Sequence, residues 1–158
     1  MNNQHHFFED FLELSVILTG FKKFRLFGTG QAVLYFDKIN EIIGEEVVNQ
    51  LLLTFSAIFN KTDRQDSEEL QDLLRAQIFC DTKLGPIARN IILLWYVGSW
   101  YQLPDDWREN YGQHLLDETF VLSPNSYTEG LLWPTIGAHP SGAKPQGFGS
   151  WGLEPVYE

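Results

Sequence analysis

The sequence predicts an all-α domain. The predicted domain is a compact bundle of about five or six helices over residues 1–136. An extended, irregular, aromatic tail is predicted over residues 137–158 of the same domain. Apolar residues recur at positions i, i+3, i+4 and i+7 along much of the chain, which is the period of a helix with one buried face. Glycine and proline interrupt these runs, and no run alternates apolar and polar residues as a half-buried strand does. With 158 residues, 44% of them hydrophobic, the chain can bury one packed core.

Three helices are predicted in the N-terminal part. The first covers about residues 6–18 and ends at Gly20, because glycine suits the left-handed position after a helix. The next stretch, FKKFRLFGTG, is predicted as a connection or short turn. A second helix covers residues 31–43 and ends at Gly44. A third begins at once with two glutamates, whose charges suit the positive end of a helix.

A polar break over residues 60–70 separates these helices from the next one. Ser67 or Asp66 can cap a helix over about residues 68–79. The only cysteine, Cys80, follows it, and a lone cysteine beside an apolar helix is expected to be a small core residue. One cysteine excludes an internal disulfide and a cysteine-based zinc site.

The next predicted helix lies in an apolar segment. That helix has Pro86 in its first turn and Trp95 on its buried face, and it ends between Gly98 and Pro104. Residues 105–122 are ambiguous and are expected to form a long excursion with one helical turn. A short helix is predicted over residues 124–133, with a serine before it as the cap.

Charge and hydropathy argue against a nucleic-acid partner and against a membrane-spanning helix. The net charge is −10, and the only basic cluster is Lys22, Lys23 and Arg25, so a nucleic-acid partner is not expected. The most apolar stretch, residues 91–103, is shorter than the roughly 20 residues that a membrane-spanning helix needs. We therefore expect no direct membrane span. The first residues show neither a signal-peptide pattern nor a twin-arginine pair.

No motif predicts a cofactor or metal site in this chain. GTGQAV at residues 28–33 begins like a dinucleotide fingerprint, but it lacks the third glycine and a preceding strand. The histidines do not have the i, i+4 spacing of a helical metal pair; they are His5, His6, His114 and His139. We therefore expect no catalytic, cofactor-binding or metal-binding residues.

Some carboxylates remain candidates for acid–base chemistry. Asp105, Asp106 and Glu109 stand beside a proline and are better explained as capping a surface turn. Glu129 lies in an apolar stretch, where it can act as an acid or base or accept a hydrogen bond at an interface, and the interface is favoured. His139 is more often a hydrogen-bonded structural histidine than a catalytic one.

Aromatic residues in unusual places are the strongest functional signal. Tryptophan and tyrosine are enriched in the cores of protein–protein interfaces. The tail is rich in glycine and proline and forms no core of its own, so its aromatic residues must rest on this domain or on a partner. The predicted partner-interface residues are Trp100, Tyr127, Glu129, Trp133, His139, Phe148, Trp151 and Tyr157. Trp95 is expected in the core.

Three stretches together resemble one family. They are FLELSVILTG near the N-terminus, ARNIILLWYVGSW with Trp95, Tyr96 and Gly98, and the closing stretch SYTEGLLWPTIGAHPSGAKPQGFGSWGLEP. In this order they resemble the small, or gamma, subunit of bacterial membrane-associated FAD-dependent sugar and polyol dehydrogenases, of the D-sorbitol dehydrogenase small-subunit type. The middle of the chain, residues 61–80 and 105–121, carries no diagnostic residues.

The resemblance implies a non-catalytic accessory role. FAD and substrate would belong to a large subunit of the glucose–methanol–choline oxidoreductase type, and a cytochrome c subunit often completes such complexes. The small subunit would clasp the large one and support its maturation, stability or export, with the tail lying along it. Export with the partner implies the periplasm, whereas the absence of a signal pattern permits the cytoplasm.

Two other functions remain open from the residues alone. One is a helical adaptor or regulator whose partner carries no flavin. The other is a small enzyme in which His139 and Glu129 form an acid–base pair and the tail closes a pocket.

Overall fold

The computed structural model describes residues 2–62 and 67–141, and it confirms the all-α class. The predicted tail contacts of Phe148, Trp151 and Tyr157 lie outside the described residues. The helices are α1 Asn2–Thr19, α2 Lys23–Gly28, α3 Ala32–Ile43, α4 Glu45–Lys61, α5 Ser67–Leu74, α6 Leu84–Val97, α7 Asp105–Tyr111, α8 Pro124–Thr128 and α9 Leu132–Thr135. A π-helical turn, Arg75–Phe79, continues α5.

The core lies between α1, α3, α4 and α6, and Trp95 of α6 is at its centre. The Trp95 indole stacks on Phe11 of α1 at a centroid distance of 6.4 Å and meets Tyr35 of α3 edge-on at 4.9 Å. All three side chains are buried. The apolar faces of these helices therefore meet in one aromatic cluster. Trp95 lies in the core, as the sequence predicted.

The short helix α2 corrects the prediction of a connection or turn over residues 21–30. Leu26 is fully buried and fixes one face of α2 to the core. On the outer face, the Lys23 Nζ donates to Glu9 Oε2 at 2.6 Å and to Glu13 Oε1 at 3.1 Å, both on α1. The Glu9 hydrogen bond is the main reason why the pKa of Lys23 is raised. These contacts hold α2 against the start of the bundle.

The C-terminal part contains more local structure than the sequence predicted. The ambiguous segment 105–122 forms α7 and one strand, β2 Phe120–Val121, which pairs antiparallel with β1 Ser99–Trp100. Each strand has two residues, too few to show an alternating pattern. The single helix predicted over 124–133 is divided into α8 and α9. Ser123 caps α8 with a reciprocal capping box, as expected.

Two further findings concern the middle of the chain. Cys80 is exposed at the end of the π-helical turn, so the expectation of a core position was wrong. Within the described ranges, no single helix is long and apolar enough to cross a membrane, although α3 and α4 pass that test together with a bend of 120° between them.

We predict that Trp95→Ala removes most of the stability of the domain. The indole is 1% exposed and contacts two other aromatic rings, so its loss should cost about 3–5 kcal/mol of unfolding free energy. Urea denaturation followed by circular dichroism measures this cost. Leu53→Ala is the control, because Leu53 is 57% exposed on α4 and its truncation should change stability by no more than about 0.5 kcal/mol. Wild-type stability in the Trp95 variant would contradict the central position of this residue.

We predict that Asp10→Asn stabilises the domain at neutral pH. Burial is the main cause that raises the pKa of Asp10 above its ordinary value of 3.8; His6 lowers it, and Glu13 and Glu9 raise it further. An acid with a raised pKa in the folded state stabilises the fold when protonated and loses this contribution as pH rises through the folded pKa. The variant should therefore melt at a higher temperature than wild type at pH 7, and the difference should vanish below about pH 3.8. Glu118→Gln, at an exposed position, is the control; an equal effect in both variants would contradict the assignment.

Candidate functional site

The three stretches that carry the family resemblance meet at the C-terminal end of α6. The Tyr96 hydroxyl donates to the carbonyl oxygen of Thr19 at 2.8 Å, and its ring meets Phe21 edge-on at 6.1 Å. Thr19 ends α1, and Gly20 after it adopts φ 74°. The end of the first stretch is thereby tied to the middle of the second, 77 residues later.

Gly98 joins the second stretch to the third. It ends α6 in the left-handed conformation with φ 70°, and a Cβ at this position would lie 2.4 Å from the backbone carbon and oxygen of Ser126. The Gly98 carbonyl oxygen also accepts from the Leu122 N–H at 3.0 Å. Only glycine satisfies both the backbone angle and this close approach.

A second close approach divides α8 from α9. A Cβ on Gly130 would lie 2.6 Å from the Tyr96 carbonyl oxygen, and the next N–H, of Leu131, donates to the Trp95 carbonyl oxygen at 2.9 Å. Leu131 itself is 1% exposed. The first residues of the closing stretch, 126–131, are therefore fixed on the last turn of α6.

These contacts create an open groove of about 470 Å³ between α2 and the segment that follows α8. One wall comes from α2 and the turn after it, through Phe24, Arg25, Gly28 and Thr29. The other wall and the rim come from Thr128, Glu129, Gly130, Leu131, Trp133, Pro134, Gly137, Ala138, His139 and Pro140. The groove thus contains three of the predicted interface residues, Glu129, Trp133 and His139.

Tyr127 contacts Trp133, one of the residues that line the groove. The Trp133 Nε1 donates to the Tyr127 carbonyl oxygen at 2.8 Å, and the two rings meet edge-on at a centroid distance of 5.3 Å. Both side chains are half-buried, so the indole is held in place and still presents part of its surface. Phe24, which also lines the groove, is 73% exposed.

The charged residues of the groove differ in their surroundings. His139 is exposed at the rim, and Glu129 is half-buried beside the core. Burial, with the Glu129 carboxylate as a second cause, raises the pKa of the buried Tyr35 hydroxyl above its usual range. The Glu129 carboxylate therefore lies close enough to the Tyr35 hydroxyl to oppose its ionisation.

The prediction that Trp100 is an interface residue was wrong, because its side chain is completely buried. The Trp100 Nε1 donates to Asp117 Oδ1 at 2.8 Å, and the same buried carboxylate accepts from the Leu103 N–H at 3.1 Å. The indole therefore anchors the loop that carries Asp117, and it has no surface left for a partner.

The other motif residues do not form a second site. Residues 28–33 comprise the end of α2, a turn and the start of α3, so no strand precedes the glycines as a dinucleotide fingerprint requires. Asp105 and Asp106 lie exposed in the first turn of α7, as the surface interpretation predicted. In the part of the chain that the structure describes, no group of three or more histidine, cysteine, aspartate or glutamate side chains could hold a metal ion.

Sequence reasoning did not identify the α2 wall of the groove. Phe24 and Arg25 belong to a stretch that was predicted as a connection, and their place in the lining of the groove depends on contacts of α2 with α1. Two aromatic residues within a six-residue basic segment were the signal that could have indicated an exposed functional surface.

Protein-family models, curated proteins and solved structures give no match to this chain.

We predict that Gly98→Ala is far more damaging than Gly20→Ala. Both glycines end a helix at positive φ, of 70° and 74°, so each alanine should cost about 1–2 kcal/mol for backbone strain. Nothing lies within 4 Å of a Cβ at Gly20, whereas a Cβ at Gly98 meets the Ser126 backbone. The Gly98 variant should lose about 1–3 kcal/mol more, because the closing stretch must move.

Chemical denaturation of the two variants measures this difference directly. Equal losses would show that the closing stretch does not pack on Gly98 as described.

Proposed function

We propose that this chain is the non-catalytic small subunit of an FAD-dependent sugar or polyol dehydrogenase, and that the groove and its rim contact the large flavoprotein subunit. The observation that carries this proposal is the convergence of the three resembling stretches at the end of α6. Residues far apart in sequence thus support one surface, which presents Trp133, Glu129 and His139.

The composition of this surface favours a protein partner. Interface centres are enriched in tryptophan, tyrosine and arginine, and the groove offers the half-buried Trp133, the exposed ring of Phe24 and the guanidinium of Arg25. Ile136, 59% exposed just after α9, extends the apolar surface at this end of the molecule. A partner that covers these side chains removes apolar area from water and gains stability by that burial.

The proposal assigns a different role to each of the two subunits. The large subunit binds FAD and oxidises the sugar or polyol, and this chain holds that subunit in its mature form. A small rigid bundle with an open aromatic groove suits such a role, because a preorganised surface loses little conformational entropy on binding.

The first test is a pull-down of the chain, tagged at its N-terminus, from its native host. We expect a yellow eluate with flavin absorbance bands and a partner several times larger in the mass spectrum. A folded, colourless chain that elutes alone would refute the proposal.

We predict that Trp133→Ala weakens the complex. Loss of an interface hot spot should cost about 2–4 kcal/mol, which corresponds to a roughly 30- to 1000-fold higher Kd. Isothermal titration or surface plasmon resonance with the captured flavoprotein measures the change. Leu53→Ala is the matched control, because it removes exposed apolar surface on α4, outside the groove. Unchanged affinity in the Trp133 variant, with an unchanged melting temperature, would remove Trp133 from the interface.

The acid–base alternative is favoured by one observation: Glu129 and His139 line the same groove. In that function the two side chains would exchange protons with a small substrate. It predicts that His139→Ala abolishes a turnover measured on the isolated chain. Flavin in the pull-down together with an inactive isolated chain would reject it.

A further inference from the structure

The loop between α7 and β2 presents two leucines to solvent. Leu115 is 97% exposed and Leu116 is 48% exposed. With Ile42 of α3 and Phe120 of β2, they form the apolar part of the lining of a depression of about 260 Å³, which we call the leucine depression. Its lining shares no residue with that of the groove. Apolar side chains gathered at such a surface mark sites where partners bind.

The loop is held in place, so its leucines are presented at a fixed position. The buried Asp117 carboxylate accepts from the Trp100 indole at 2.8 Å, and the Asp117 carbonyl oxygen accepts from the Gln102 Nε2 at 3.0 Å. The Gln102 N–H donates to Thr119 Oγ1 at 3.0 Å. Within the loop, the Asp117 N–H donates to the His114 carbonyl oxygen at 3.1 Å. A surface organised in this way loses little conformational entropy when a partner binds.

The charged residues around the leucine depression are mainly acidic. Glu41 and Glu118 line it together with Lys38, whose Nζ donates to Glu41 Oε2 at 2.5 Å. Glu41 also lines an adjoining depression, which adds Asp37 and Glu45. The two linings thus combine four carboxylates with one ammonium group, a net charge of −3. Ion pairs between the described residues involve none of Asp37, Glu45 and Glu118.

We propose that the leucine depression binds a basic segment of a protein partner. The segment inserts one large apolar side chain against Leu115 and Leu116, and it places lysine or arginine side chains beside Glu41 and Glu118. This inference goes beyond the proposed function, because it concerns a second surface and needs no flavin in the partner.

The charge and the size of the leucine depression select this occupant. A second copy seated on the same surface would oppose carboxylates to carboxylates, in a chain whose net charge is already −10. Anionic lipids at a membrane surface would be repelled for the same reason. The volume of about 260 Å³ is below the roughly 300–1000 Å³ of pockets for drug-sized ligands, so it suits one side chain of a larger partner.

The test measures the binding of two synthetic helical peptides to the full-length chain. Both peptides have the same length and the same row of leucines; one carries lysines beside this row, and the other carries glutamates. Two matched pairs of variants locate the binding. Leu115→Ser is compared with Leu53→Ser, at an exposed leucine on α4, and Glu118→Lys is compared with Asp72→Lys, at an exposed acid on α5. Surface plasmon resonance gives the Kd and the association rate at low and at physiological ionic strength.

We expect the lysine peptide to bind at least about ten-fold more tightly than the glutamate peptide, and this difference should shrink as salt screens the charges. Leu115→Ser should raise the Kd of the lysine peptide at least about ten-fold, and Leu53→Ser should leave it within about two-fold. Glu118→Lys should slow association at least about five-fold more than Asp72→Lys, although both substitutions change the net charge equally.

Equal Kd values for the two peptides would overturn the proposal. Equal effects within either matched pair would also overturn it, because net charge or general apolar surface would then explain the binding. Sedimentation of the chain alone and flotation with vesicles of anionic phospholipid test the other occupants. Self-association or vesicle binding that Leu115→Ser abolishes would assign the leucine depression to a second copy or to a membrane instead. No step uses the flavoprotein, so this proposal and the proposed function fail separately.

Discussion

Gly98 and Ser126 approach each other so closely that no side chain fits between their backbones, and the C-terminal third of the domain is positioned from this contact. The left-handed turn at Gly98 ends α6 and directs the chain into β1, while the Gly98 carbonyl oxygen receives the Leu122 N–H just after β2. The start of α8 is thereby placed against the end of α6. Because Gly130 and Leu131 then contact the carbonyl oxygens of Tyr96 and Trp95, one wall of the groove is built on the last turn of the central helix.

Asp117 provides a second fixed point for the same region. Its carboxylate is 2% exposed and accepts hydrogen bonds from the Trp100 indole and the Leu103 backbone. Buried carboxylates are tolerated only when their oxygens are paired in this way, so the loop before β2 has little freedom to move. The opposite situation holds two residues earlier, where Leu115 is 97% exposed on the same loop. The loop that Asp117 anchors therefore also exposes an apolar side chain to solvent.

The long helices were predictable from the sequence, whereas the residues of the groove were predictable only in part. Helices α1, α3, α4 and α6 bury one face over several turns, which produces a clear period of 3.6 residues. Helix α2 has six residues and one buried side chain, Leu26, so it leaves no period to detect. Trp100 and Trp133 look alike in sequence, but Trp100 is buried and donates to Asp117, a tertiary contact that no local pattern predicts. Glu129, Trp133 and His139 could be selected because a glycine-rich aromatic stretch needs a surface, whereas Phe24 and Arg25 required the tertiary contacts of α2.

The hydrogen bond from Leu131 to Trp95 also has a consequence for biosynthesis. A ribosome releases the chain from its N-terminus, and helices α1–α6 lie within residues 2–97 together with all three rings of the aromatic cluster, Phe11, Tyr35 and Trp95. The carbonyl oxygens at the end of α6 receive their partners from residues 122 and 131, so that end remains uncovered while the next thirty or so residues are synthesised. The rim of the groove, residues 137–140, is made later still. A nascent chain thus acquires its core before most of the residues that line the groove.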